Sequence, residues 1–270
     1  MKFNLIKWKL MLTTLPVTAL IVIVKYVLIQ HFGYDGIVKY SEISLVVTGG
    51  IFLIAFMLAG TMADYKESEK IPGELACAFE TIEDTLNLAY QYKGGFDLGA
   101  QKAKLHAVTE SILHWFRRQE STEGTFEKIQ GITDIAVTLE KAGVGAIASR
   151  VTSEQHNLRK FFTRVHVIRN TNFLATGYAF LEVLTVVIIG LLMVSQFENL
   201  LISMVIVSFV TQIFIYMIRL IRDVDEPFEY SPKGVVGAAD VDLFPLIEYA
   251  ARAGNRLTMN HQRPTVNEAA

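Results

Sequence analysis

Cysteine is nearly absent from this 270-residue chain, and the single one, Cys77, has no partner with which to close an internal disulfide. With no companions at ligand spacing it makes no zinc site either, and it reads as a small core residue. Charge is scarce as well: 19% of residues are Asp, Glu, Lys or Arg, the formal net charge is −2 and the pI is about 6.3. That balance excludes a pooled basic footprint, so nucleic acid is not an expected partner. Signatures of catalysis are missing too. His106, His114, His156 and His166 fall on different segments, with no pair at the four-residue spacing of a helical metal site. Neither Gly94-Gly95 nor Gly143-Val144-Gly145 carries the downstream Lys-Ser/Thr of a phosphate loop, and no Ser sits in a nucleophile elbow. No enzyme and no resident cofactor are expected.

What the chain does have is apolar length. Hydrophobic residues make up 51% and mean hydropathy is +0.35, more than a water-soluble domain of this charge content would show. Four windows are long enough to cross about 30 Å of hydrocarbon, for which a helix needs roughly 20 residues. They run from Leu10 to Ile29, Ile43 to Met62, Phe173 to Val194 and Leu200 to Ile218. The first is too long for a signal peptide and lacks a small-residue cleavage site, so it is kept as a span. Lys25, near its far end, is expected to snorkel to the interface. Lys and Arg near the span ends set orientation. Lys2, Lys7 and Lys9, then Lys66 and Lys70, then Arg164 and Arg169, then Arg219 and Arg222 all fall on one side. The opposite connections hold Lys39 alone. Both termini and the middle of the chain are therefore expected in the cytoplasm, which also suits a free thiol.

The fold class that follows is all-α: an integral membrane protein with four transmembrane helices and a cytoplasmic helical bundle. The chain divides into an N-terminal segment with the first two spans (1–62), a cytoplasmic helical domain (63–172), the second pair of spans (173–218) and a cytoplasmic C-terminal segment (219–270). Within the middle domain apolar stripes recur at helical spacing. Leu75, Phe79, Ile82, Leu86 and Tyr90 form one; Leu105, Val108, Ile112 and Trp115 another; Ile129, Ile132, Ala136 and Leu139 a third. A fourth runs through Leu158, Phe161, Phe162, Val165 and Ile168 into the third span. Beyond Arg256 the tail, with Asn260, His261, Gln262 and Pro264, reads as disordered.

Three places could carry function. The second span has no charge but holds Thr48, Gly49, Gly50, Ala55, Ala59 and Gly60, small residues that permit close helix approach in lipid. Repeated around a symmetric homo-oligomer, such a helix could line an apolar constriction that gates ions by dewetting. One rotation turns Val47, Ile51 and Ala55 toward the axis; a neighbouring one turns Thr48, Phe52 and Phe56 there. Glu182 lies inside the third span, where a carboxylate needs a partner, a cavity or a pore. After the fourth span, Asp223, Asp225, Glu226 and Glu229 gather carboxylates that could hold calcium or pair with Arg219 and Arg222, although they do not match an EF-hand loop.

The layout of two spans, a helical domain, two spans and a tail resembles that of the bestrophins. Local text is similar in two places. Asp64-Tyr-Lys-Glu-Ser-Glu-Lys-Ile-Pro72 resembles the polar, aromatic and acidic stretch after that family's neck helix. Val224-Asp-Glu-Pro-Phe228 resembles its acidic-Pro-Phe motif, with Asp242-Leu243 and Ile247-Glu248 similar to the pairs beyond it. The Arg and Trp residues expected after the neck are missing, and the interval between the two later pairs is short. The resemblance implies a divergent bestrophin-like homo-oligomer, a pentamer, passing inorganic ions, chiefly anions, through a neck lined by the second span. The rival expectation is a non-conducting membrane scaffold or sensor that recruits a partner through its cytoplasmic helices.

Overall fold

The computed structural model describes residues 5–34, 36–171, 175–230 and 239–262. Lys2, the start of the third window at Phe173, and Pro264 lie outside them. The described residues form ten helices and one pair of two-residue strands. The helices are α1 (Leu5–Phe32), α2 (Tyr40–Ser68), α3 (Ile71–Tyr92), α4 (Leu98–Phe116), α5 (Thr122–Gln130), α6 (Ile132–Lys141), α7 (Gly145–Asn170), α8 (Ala175–Val194), α9 (Leu200–Asp225) and α10 (Phe244–Gln262). The strands β1 (Val38–Lys39) and β2 (Ser195–Gln196) pair in parallel, Val38 with Ser195 and Lys39 with Gln196. The chain resolves into two compact units, one of 1–66 with 172–227 and the other of 67–171 with 228–270.

The first unit holds α1, most of α2, α8 and α9. All four are long and apolar enough to cross a membrane, and at most 28% of the most apolar window of any of them is buried within the chain. So much uncovered apolar surface needs lipid or sister subunits rather than water around it, as expected of an integral membrane protein. What is buried is a core of Ile43, Val47 and Ile54 from α2, Leu181, Ile188 and Leu192 from α8, and Val207, Phe214, Ile218 and Ile221 from α9. Gly50 makes this packing possible. A Cβ there would lie 2.5 Å from Ile188 Cδ1 and 2.8 Å from Phe214 Cζ, whereas one on Gly49 would meet nothing within 4 Å. Gly50→Ala is accordingly expected to destabilise the solubilised protein by about 1–3 kcal/mol, through displacement of the Phe214 ring. Thermal melting checks this, with Gly49→Ala melting like the parent.

The second unit holds α3 to α7 and α10. Asp97 and Ser121 cap α4 and α5, accepting from the N–H groups of Ala100 at 2.9 Å and Gly124 at 3.0 Å. Leu75, Phe79, Ile82 and Leu86 are fully buried, as are Leu105, Ile112 and Trp115 nearly so. Four expectations are corrected here. Tyr90 is 48% exposed, off the end of its stripe. Cys77 is exposed, because it lies on the face of α3 away from Leu75, Phe79 and Ile82. The third stripe is two helices, with Ile129 ending α5 and Ile132, Ala136 and Leu139 on α6; Gly131 divides them, and Gln155 Nε2 donates to the freed carbonyls of Ile129 and Gln130 at 2.8 and 3.1 Å. The fourth stripe stops at Asn170, since Thr171 is extended.

The tail is also more ordered than its sequence suggested. α10 runs on through Arg256 to Gln262, built from helix formers such as Ala250, Ala251, Ala253 and Leu257, with no proline between Pro245 in its first turn and Pro264. It docks through Tyr249, whose ring stacks on Phe79 at 5.7 Å and 13°, and through buried Glu83. Glu83 takes Arg256 at 2.7 Å, Lys102 at 3.4 Å and the Tyr249 hydroxyl at 3.4 Å, while Arg252 pairs with Glu80. A buried carboxylate is tolerable only with partners of this kind. Burial, and then the Glu83 charge, push the Tyr249 phenol well above its ordinary range.

Candidate functional site

α2 is charge-free from Ile43 to Ala63, and its apolar residues run all round the helix. Packing decides its rotation. Ile43, Val47, Gly50, Ile54 and Thr61 recur at three-, four- and seven-residue steps and are the buried positions, so they mark one face. The opposite face is uncovered: Leu45 is 80% exposed, Phe52 70% and Phe56 72%, with Thr48 and Ala59 exposed beside them. Thr48 Oγ1 donates back to Ser44 O at 2.9 Å, which satisfies its hydrogen within the helix and leaves a weakly polar step on an apolar surface.

The two rotations left open by the sequence are thereby distinguished within the protomer. Thr48, Phe52 and Phe56 lie together on the uncovered face. Val47 does not join Ile51 and Ala55, because it is 3% exposed and belongs to the core with Ile188 and Phe214, while Ile51 and Ala55 remain exposed at the edge.

Glu182 has a partner. Its carboxylate pairs with Arg222 in the last turn of α9, with both side chains about half exposed at 55% and 56%. Arg222 also lies 5.9 Å from the Tyr178 ring centroid, one turn before Glu182 on α8. Of the acidic candidates, Asp223 and Asp225 lie in the last turn of α9, Glu226 caps it and Glu229 follows; among the described residues no three His, Cys, Asp or Glu side chains are grouped so as to hold an ion.

Lys25 departs most from expectation. It does not snorkel: its relative exposure is 0%, and Nζ donates to the carbonyls of Met193 and Ser195, each at 2.8 Å. These lie at the C-terminal end of α8, where carbonyls lack intrahelical partners and the helix dipole is negative. Ile37 N donates to Val194 O at 2.9 Å, and Tyr40 stacks on Phe197 at 5.1 Å. Gly36, at φ +94°, lets the chain pass so close to Ser195 that a Cβ would be 2.7 Å from its carbonyl carbon. A second polar contact was equally hidden in the sequence. Thr18 Oγ1 donates to Gln212 Oε1 at 2.6 Å, and Gln212 Nε2 donates to Thr14 Oγ1 at 2.7 Å, which stitches α1 to α9. Only the presence of Gln212 in an apolar window hinted at it.

No family profile matches the sequence. No curated protein sequence matches it either. Solved structures do match. A bacterial bestrophin homologue from Klebsiella pneumoniae superposes with a TM-score of 0.72 at 14% identity, over 94% of this chain and 100% of that one. A point variant of the Klebsiella homologue gives 0.72 at 15% identity, over 94% and 98%. A crystal structure described as a membrane protein variant gives 0.72 at 14% identity, over 95% and 99%. The chain has the bestrophin-like fold, all-α with four membrane helices.

Proposed function

We propose that this protein is a homo-oligomeric ion channel, a pentamer by its resemblance to the bestrophins, in which a ring of α2 helices lines the passage. The observation that carries this reading is the uncovered face of Thr48, Phe52 and Phe56, opposite the face that α2 packs against α8 and α9. A helix with one face committed to its own protomer and an equally apolar face left bare suits the wall of a symmetric constriction that gates by dewetting. Anions are the expected permeant ions. The face has no charge with which to select by sign, so this part rests on the resemblance alone. The bias of Lys and Arg supports a topology with the chain termini and α3 to α7 in the cytoplasm. Planar-bilayer recording of the purified protein tests the reading: unitary current steps that shift with the anion gradient are expected, and their absence under every ion condition overturns it.

A further inference from the structure

A cavity of about 300 Å³ in the second unit plays no part in that reading. Trp115, Arg118, Ser121, Thr122, His166 and Arg169 line it, so the end of α4, the start of α5 and the last turns of α7 meet there. Trp115 is the piece that shapes it. Its ring lies 4.2 Å from Phe162 and is 3% exposed, its Nε1 donates to Thr122 Oγ1 at 3.0 Å, and its carbonyl accepts from Arg169 Nη1 at 3.4 Å. The Arg169 guanidinium sits 4.7 Å from the Trp115 ring centroid, held by stacking while its remaining N–H groups stay available.

The charges in this cavity do not balance. Among the described residues neither Arg118 nor Arg169 has a carboxylate within ion-pair distance. Glu120 also lines the cavity, but Lys128 holds it at 2.6 Å. Burial pushes the Glu120 carboxyl up, and the hydrogen bonds from Lys128 and Ser111 outweigh this and keep it ionised below its usual range. Arg169 is pushed down by burial first and by the Arg118 charge second, the mark of two guanidiniums that repel each other. Ser121 and Thr122 of the cavity wall are the cap and first residue of α5, so the positive end of that helix dipole lies beside the same space.

We infer that this cavity binds an oxyanion of the phosphate class, held between Arg118 and Arg169 and approached by the amino end of α5. Planar guanidiniums match two oxygens of such an ion at once, and a dianion relieves the repulsion between both arginines where a monoanion relieves less. The phosphate can belong to a free phosphate monoester or to a lipid headgroup, two sources that present the same oxyanion.

The test uses the full chain in two arms. In detergent, thermal melting and calorimetry are followed with inorganic phosphate at an ionic strength fixed by chloride. In nanodiscs of phosphatidylcholine, melting is compared with and without phosphatidic acid. Arg118→Gly is the decisive variant: Arg118 has φ +58°, which glycine adopts freely, so the fold should persist while the cation is lost. A saturable stabilisation of the parent is expected in at least one arm, weakened about tenfold or more in Arg118→Gly and in Arg169→Gln. Response to inorganic phosphate identifies the free ion as source; response to phosphatidic acid alone identifies the headgroup. A parent that answers neither probe, or variants that bind as the parent does, overturn the inference. Binding is read rather than current, so this result and that of the bilayer recording stand or fall separately.

Discussion

Phe52→Ala and Phe56→Ala are each expected to raise unitary conductance on the order of tenfold, the factor that follows from lowering a barrier by about 1.4 kcal/mol. Both rings are uncovered within the protomer, at 70% and 72% exposure, so truncating them removes no packing that holds α2 in place. In the proposed ring of α2 helices each substitution would delete one aromatic wall per subunit, widening and wetting the constriction. Val47→Ala is the contrast. It removes buried apolar volume and is expected to lower stability by about 1 kcal/mol or more while leaving the conductance of surviving channels unchanged. Single-channel recording beside thermal melting separates the two effects. If Val47→Ala alters conductance and the two phenylalanine variants do not, the passage runs along another face.

The four spans were readable in the sequence because uninterrupted apolar length has few other uses, and the bundle helices because their stripes recur at 3.6-residue steps. The rotation of α2 was not, since a helix apolar all round carries no contrast from which to read its buried face. Its direction became visible only once Ile188 and Phe214 stood against Gly50. Gly131 was one glycine within an otherwise continuous stripe, and its role as a break depended on Gln155, a residue of α7, taking up the freed carbonyls.

Polar residues hid their roles for a related reason. Thr14, Thr18 and Gln212 make sense only together, and nearly two hundred residues separate the threonines from the glutamine. α10 escaped notice because its second half is polar, with Asn255, Arg256, Thr258 and Asn260, yet Arg252 and Arg256 are the groups that fasten it, through Glu80 and Glu83. Charges that sequence reasoning assigns to solvent are, in this unit, the contacts that hold the terminal helix.

Lys25→Met is expected to destabilise the first unit by about 2–4 kcal/mol, and here two effects oppose each other. Methionine matches the length of the side chain and relieves the desolvation of a buried Nζ, which taken alone would favour the variant. Against this, the carbonyls of Met193 and Ser195 each lose a donor at 2.8 Å in a place where relative exposure is 0%. Orphaning the buried Ser195 carbonyl costs about 1–3 kcal/mol, orphaning the part-buried Met193 carbonyl adds to this, and the end of α8 loses the group that complements its dipole. The loss is therefore expected to win, and to appear locally as well as globally. The β1–β2 pairing and the Ile37 to Val194 hydrogen bond depend on the same turn, so amide exchange at Ile37 and Gln196 should quicken ahead of the rest of α8. A variant that melts at or above the parent temperature with exchange unchanged would show that Lys25 is not what fastens this end of the helix hairpin.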